Sequence, residues 1–147
     1  MEVYMNHDIR QRTINEYIQK DQYTAFLGAK VEILEPGHSR VSLTITEKMT
    51  NFHRTTHGSV IFALSDIAFA AASNSHGQVT VALNVDISFL KATKPGDQLV
   101  AEAKEVHVGG RTAFYDITVR DEQTGELVAK SQDLVYRKNE WFVPKEE

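Results

Sequence analysis

Between Gly58 and Asn74 the chain reads GSVIFALSDIAFAAASN, an alanine-rich run with a single charge, Asp66. The run is apolar on nearly every face, and a helix of that kind has to be buried. It therefore predicts a central helix over residues 58–74 around which the rest of the chain must be arranged. Asn74-Ser75-His76-Gly77 supplies the stop. The apolar part, residues 59–72, is broken by Ser65 and Asp66 and is too short to cross a bilayer.

The flanking segments have strand character. Residues 25–35 read as a first strand that ends at Glu35-Pro36-Gly37-His38, a turn signal. Arg40 to Thr46 alternates with period two, so the pair predicts a hairpin. After the helix, four runs follow at 79–90, 97–108, 112–121 and 126–137. Lys94-Pro95-Gly96-Asp97, Gly109-Gly110 and Thr124-Gly125 separate them. Short connections between consecutive strands predict an antiparallel meander. The expected fold is α+β, a long antiparallel sheet curled around one central helix. A single curled sheet covers only part of a helix that is apolar all round, and a second subunit is the simplest cover for the remainder.

At 147 residues, with no repeat, linker or low-complexity tract, the chain reads as one domain spanning 1–147. Residues 8–20 form a polar amphipathic stretch with Ile9, Thr13, Ile14, Tyr17 and Ile18 at helical spacing, which Asp8 is placed to cap. The N-terminus lacks an apolar signal core, so a soluble, cytoplasmic protein with no membrane partner is expected. The absence of cysteine excludes disulfides, thiolate zinc sites and a cysteine nucleophile. With 16 basic against 20 acidic residues the net charge is −4, opposite to that of a nucleic-acid-binding chain.

Asp66 is the residue that does not fit its surroundings. A lone buried carboxylate costs several kcal/mol unless it is paired or hydrated, and no lysine or arginine lies within a turn of it. Either a distant arginine or backbone amide satisfies it, or a groove brings water and a substrate to it. At the other end of the helix, His57-Gly58-Ser59 leaves backbone N–H groups free, with positive dipole character. Such amides bind a carbonyl oxygen as it becomes an oxyanion. Gly58 and Asp66 are eight residues apart, about 12 Å along a helix. One helix therefore cannot offer both groups to one carbonyl, whereas two helices side by side in a dimer can. Asn51, in the preceding loop, is placed either to orient water or a carbonyl or simply to form a turn.

The run Asn51-Phe52-His53-Arg54-Thr55-Thr56-His57-Gly58-Ser59-Val60-Ile61-Phe62-Ala63-Leu64-Ser65-Asp66-Ile67-Ala68-Phe69-Ala70 resembles the central segment of hotdog-fold acyl-CoA thioesterases, most closely the PaaI-type of phenylacetic acid degradation. Asn74-Ser75-His76-Gly77, Ile87-Ser88-Phe89-Leu90, Pro95-Gly96-Asp97, Gly110-Arg111-Thr112, Tyr115-Asp116 and Tyr136-Arg137 agree, so the resemblance spans about residues 25–137. It implies a hotdog fold, a homodimer with active sites shared across its interface, and stacking into a homotetramer. It also implies hydrolysis of an acyl-CoA, with an aryl-acetyl group as one option, to a free acid and CoA. CoA enters as part of the substrate, and no separate cofactor or metal is implied. Carried over, Asp66 is the general base or nucleophile, the Gly58 N–H polarises the carbonyl, and Asn51 positions water or the carbonyl. His57, Ser59, Asn84, Arg111 and Thr112 are the implied substrate contacts. The chain departs from the pattern at Ser59 and Arg54, where relatives often carry glycine, and at Ala82, where some place a hydroxyl.

An acidic protein that binds CoA needs local cations for the phosphates. Arg111 is the first candidate, followed by Lys91, Lys94, Arg137 and Lys138. Phe52, Phe62, Phe69 and Phe89 either line an aromatic pocket or belong to the core. His53 and His57 stand at i, i+4, a spacing used for metals, but no glutamate or third ligand accompanies them, and His57 reads as a loop brace. The competing functions are a non-catalytic acyl-CoA sensor, which Asp66 argues against, and a hydratase, which would place a histidine with a carboxylate.

Overall fold

The computed structural model describes residues 6–145, so residues 1–5 and 146–147 of the expected 1–147 domain lie outside the described residues. Along the chain the elements are α1 (His7–Ile18), α2 (Gln22–Leu27), β1 (Lys30–Glu35), β2 (His38–Thr44), a single 3-10 turn (Glu47–Met49), α3 (Gly58–Asn74), β3 (Gln78–Phe89), β4 (Gln98–Val108), β5 (Thr112–Asp121) and β6 (Leu127–Trp141). The six strands form one antiparallel sheet in the order β1-β2-β4-β5-β6-β3. It wraps α3, the curled sheet around one central helix that the sequence led us to expect.

α3 has the bounds its apolar run predicts. Leu64, Ala68, Phe69 and Ala72 are essentially fully buried against Val41, Leu99, Ala101, Ala103, Ile117 and Val119 of the sheet. The alanines on β4 let the helix sit close, while Phe69 meets the edge of Tyr115 at 5.6 Å between ring centres. Each large apolar side chain buried this way is worth about 1.5–3 kcal/mol. Buried hydroxyls lock the helix in place: Ser39 Oγ donates to the Ala68 carbonyl at 2.6 Å, and Ser75 Oγ accepts from the Gly37 N–H at 2.7 Å.

Three sequence expectations need correction. Residues 25–29 are not strand. Asp21 caps the short helix α2 through the Thr24 N–H, Gly28 ends it at φ +76°, and β1 starts only at Lys30. Asn6, not Asp8, caps α1, its side chain accepting the Asp8 N–H at 2.9 Å. The four late strands are not one meander. β4, β5 and β6 follow one another, but β3 pairs with β6 at the far edge while β4 pairs with β2. The connection after β3 is a crossing rather than a hairpin turn. Thr93 is tied to Thr56 beside the start of α3, through the Thr56 N–H and through the two hydroxyls, and Gly96 and Asp97 are tied to Ile45 beyond β2.

Two apolar surfaces of this unit stay uncovered. On α3, Phe62 and Ala70 are exposed, and Asp66 and Asn74 half-exposed, at i+4 spacing. β3 is an edge strand with Val81, Leu83 and Phe89 exposed, and Leu90 just after it is exposed too. Long exposed edges of this kind invite pairing. Among the described residues no helix is long and apolar enough to cross a membrane.

Candidate active site

Asp66 sits midway along α3 on the stripe the sheet leaves open. It is half-buried, and among the described residues no side chain or amide hydrogen-bonds or ion-pairs with it. The structural reading, a distant arginine or amide satisfying the carboxylate, is therefore not what is found. Burial raises its proton affinity above the ordinary aspartate value, and the negative charge of Asp21 raises it further. A carboxylate held this way is a better base than one in water. It lines a cavity of about 590 Å³ between α3, α1, α2 and Val31 of β1.

Gly58 occupies the first helical position of α3. His57 is the N-cap: its Nδ1 accepts the Ser59 N–H at 3.0 Å and lies 2.7 Å from Ser59 Oγ. This leaves the Nδ1 of the ring without a proton. It also engages the Ser59 amide and leaves the Gly58 N–H without a partner among the described residues. His57 and Ser59, expected at the substrate, thus hold each other at the helix entrance. Gly58 faces a second depression, of about 320 Å³, with Thr56, Ile61, Phe89 and Leu90. A Cβ on Gly58 would meet the Phe89 ring at an ordinary 3.7 Å, so space alone does not demand glycine here.

Asn51 is bound into its own loop. Its Oδ1 accepts the His53 N–H at 2.9 Å, its Nδ2 donates to Thr55 Oγ1 at 3.1 Å, and its backbone N–H reaches the Thr55 carbonyl at 2.8 Å. The turn takes Arg54 to φ +64°, a left-handed conformation that favours glycine. His53 packs against Phe52 while His57 caps α3, and no group of three or more metal-ligating side chains occurs among the described residues.

The single chain does not bring the remaining expected contacts to Asp66. Asn84 lies exposed on β3, opposite Leu134 and just past a bulge. Arg111 and Thr112 form the tip of the β4–β5 hairpin, where the Thr112 carbonyl accepts the Gly109 N–H at 2.8 Å and the Arg111 carbonyl accepts the Arg137 N–H at 2.7 Å. Of the candidate cations, Lys91 pairs with Glu126, and Arg137 Nη1 donates to the Gly109 carbonyl at 2.7 Å. Arg111 has no side-chain partner among the described residues. Among the phenylalanines, Phe69 is core, Phe89 lines the Gly58 depression, and Phe52 is 91% exposed.

Sequence reasoning missed two features. One is the wall over Asp66 made by the end of α1 and by α2. Its only signals were Asp21 three residues before Thr24 and the glycine at 28. The other is Asp133 on β6, fully buried among core residues. Ser131 Oγ donates to Asp133 Oδ1, while Oδ2 has no partner among the described residues. Burial pushes its pKa up to about 6 against the hydrogen bond from Ser131, with Asp66 and Asp86 adding to the rise.

The thioesterase superfamily matches residues 53–128, a segment that contains both Gly58 and Asp66. A protein of Archaeoglobus fulgidus, named only as an esterase, is 39% identical over 89% of this chain and 85% of its own length. The acyl-coenzyme A thioesterase PaaI of Escherichia coli K12 is 36% identical over 81% of this chain and 84% of its own. The structure of the E. coli PaaI protein from the phenylacetic acid degradation operon superposes with a TM-score of 0.85 at 32% identity, covering 90% of this chain and 96% of that one.

Proposed function

The chain belongs to the thioesterase superfamily and is an acyl-CoA thioesterase of the PaaI type; from this premise we propose that it hydrolyses aryl-acetyl-CoA thioesters in active sites shared between two copies of the chain. The observation that carries the proposal is the separation of Asp66 from Gly58. A carboxylate and an amide, each without a partner among the described residues, open into different depressions of one chain, about 12 Å apart along the helix. Two copies joined through the β3 edge and the uncovered stripe of α3 form one homodimer in which Asp66 of one protomer meets the Gly58 N–H of its partner. Pairs of dimers stack into a homotetramer.

In such a site the thioester carbonyl oxygen accepts the Gly58 N–H. Asp66 either takes a proton from water as the water oxygen bonds to the carbonyl carbon, or bonds to that carbon itself to give an anhydride that water then cleaves. In both routes the carbon–sulfur bond breaks and CoA leaves as a thiolate, so no strong general acid is needed. Asn51 holds the loop that presents Gly58 and keeps one amide proton for water or the carbonyl. Arg111 is the cation proposed for the CoA phosphates. PaaI of E. coli, by name an acyl-CoA thioesterase, supports the aryl-acetyl reading through its operon.

The test is thiol release from a panel of acyl-CoAs, with the wild type beside Asp66→Asn. The expected result is turnover that favours aryl-acetyl groups and falls by about 10³-fold or more in the variant while assembly is unchanged. Bound CoA ligands without thiol release would instead support the sensor reading.

A further inference from the structure

Beyond the last turn of α3 lies a pocket of about 300 Å³ that shares no lining residue with the Asp66 cavity or the Gly58 depression. Arg10, Arg137 and Lys145 line it together with the imidazoles of His7 and His76 and with Trp141, and no carboxylate lines it among the described residues. In a chain of net charge −4 this is a local reversal of sign, and such a concave basic surface draws anions. The pocket is also firmly built. Arg10 is 3% exposed, and its Nε and Nη2 donate to the Pro144 and His76 carbonyls, both at 2.8 Å. A Cβ on Gly77, which stands at φ +84°, would lie 2.7 Å from Arg10 Nη2, so glycine leaves the room that the guanidinium takes. His76 Nε2 is 2.8 Å from Glu105 Oε1, which also accepts the Tyr115 hydroxyl at 3.0 Å. Lys145 Nζ stands 5.2 Å from the centre of the Trp141 ring. The indole N–H of Trp141 is buried and has no acceptor among the described residues, an uncommon state for a buried donor.

We propose that this pocket binds a phosphate group, as inorganic phosphate or as a small phosphate monoester, at a site separate from the thioester. The basic side chains reach it from α1, from the residue after the turn that ends α3, from β6 and from the segment that follows β6. Donors converging from several elements suit a tetrahedral oxyanion with many acceptor positions better than a planar carboxylate. His7 and Arg10 belong to the first turn of α1, where the helix dipole adds positive character. The volume exceeds that of a phosphate ion, and the Trp141 and Pro36 rings flank the space that remains for a small organic group. The inference does not depend on the chemistry at Asp66.

Trp141 is the only tryptophan of the chain, so its fluorescence reports on the pocket directly. The test is titration of the full chain with inorganic phosphate and with glycerol 3-phosphate at constant ionic strength, chloride serving as the control anion. The wild type is compared with Lys145→Glu and Lys48→Glu. Both lysines are exposed and both changes alter the net charge equally, but only Lys145 lines the pocket. The expected result is a saturable change in emission for the wild type and Lys48→Glu, with affinity at least about fivefold weaker in Lys145→Glu. Tighter binding of glycerol 3-phosphate assigns the site to a monoester, and tighter binding of inorganic phosphate to the free ion. An emission that follows phosphate no more than chloride, or one affinity for all three proteins, overturns the inference. CoA added at saturating phosphate is expected to leave the signal in place. Competitive loss of the signal would put the phosphate of CoA itself in the pocket and overturn the separate site.

Discussion

Three carboxylates within or beside the core differ in how they are held. Asp66 has no partner among the described residues, and its proton affinity is raised by burial and then by Asp21, which lines the same cavity. Neutralising Asp21 removes a negative charge facing Asp66, so the pKa of Asp66 falls. In the proposed reaction Asp66 works in its ionised form, so the acid limb of the kcat/KM profile of Asp21→Asn should move to lower pH. Asparagine also caps helices well, so α2 should persist. A pH–rate series on the two proteins reads the shift. Asp133 has the opposite value for the fold. Its pKa of about 6 in the folded chain exceeds the ordinary 3.8, so the folded state binds the proton more tightly than the unfolded one. Stability from this group is therefore highest below about pH 4, declines as pH rises towards 6, and stays low above that. Asp133→Asn should raise unfolding stability at pH 8 by about 1–3 kcal/mol and leave it little changed at pH 4. Urea melts at the two pH values measure this. The sequence exposed Asp66 because it interrupts an apolar helix. It concealed Asp133 because Ser131-Gln132-Asp133-Leu134 alternates weakly, and only the register of β6 against β5 and β3 turns that carboxylate inward.

At the scale of elements, strong patterns were readable and short ones were not. α3 has the bounds its composition predicts, since seventeen residues with one charge admit little else. The six-residue α2 is too short for periodicity to register, and its residues 25–27 were absorbed into the strand that follows. Lys94-Pro95-Gly96-Asp97 does form a turn, with the Lys94 N–H on the Asp97 carboxylate at 3.0 Å. It closes a crossing rather than a hairpin, however, and local turn chemistry cannot tell the two apart. Arg54 at φ +64° gives a physical reason why glycine suits its position. The entrance of α3 also offers an unusually clean substitution. Proline suits the first helical position, and His57 already has the extended backbone, φ −62° and ψ 135°, that a following proline requires. Gly58→Pro therefore deletes the one N–H assigned to the oxyanion while keeping the helix start. The loss of such a donor costs about 10²–10³ in rate.

At the scale of the whole molecule, the proposed catalytic groups lie on surfaces that a single copy leaves open. The sheet shields one side of α3, while the stripe with Phe62, Asp66 and Ala70 and the β3 edge with Val81, Leu83 and Phe89 remain uncovered. A helix apolar all round implied a cover for them, and the distance from Gly58 to Asp66, about 12 Å along the helix, pointed to a site shared between copies. What the sequence did not show is that two different depressions separate these groups. The most direct measurement is activity from mixed dimers. Asp66→Asn and Gly58→Pro, each expected to lose at least about 10² in rate alone, are co-expressed in equal amounts and assayed against phenylacetyl-CoA. In a shared site each mixed dimer has one site with both groups intact, so the mixture should recover about a quarter of wild-type activity. A mixture no more active than either parent, although mixed dimers form, would contradict the shared site and place the whole reaction within one chain.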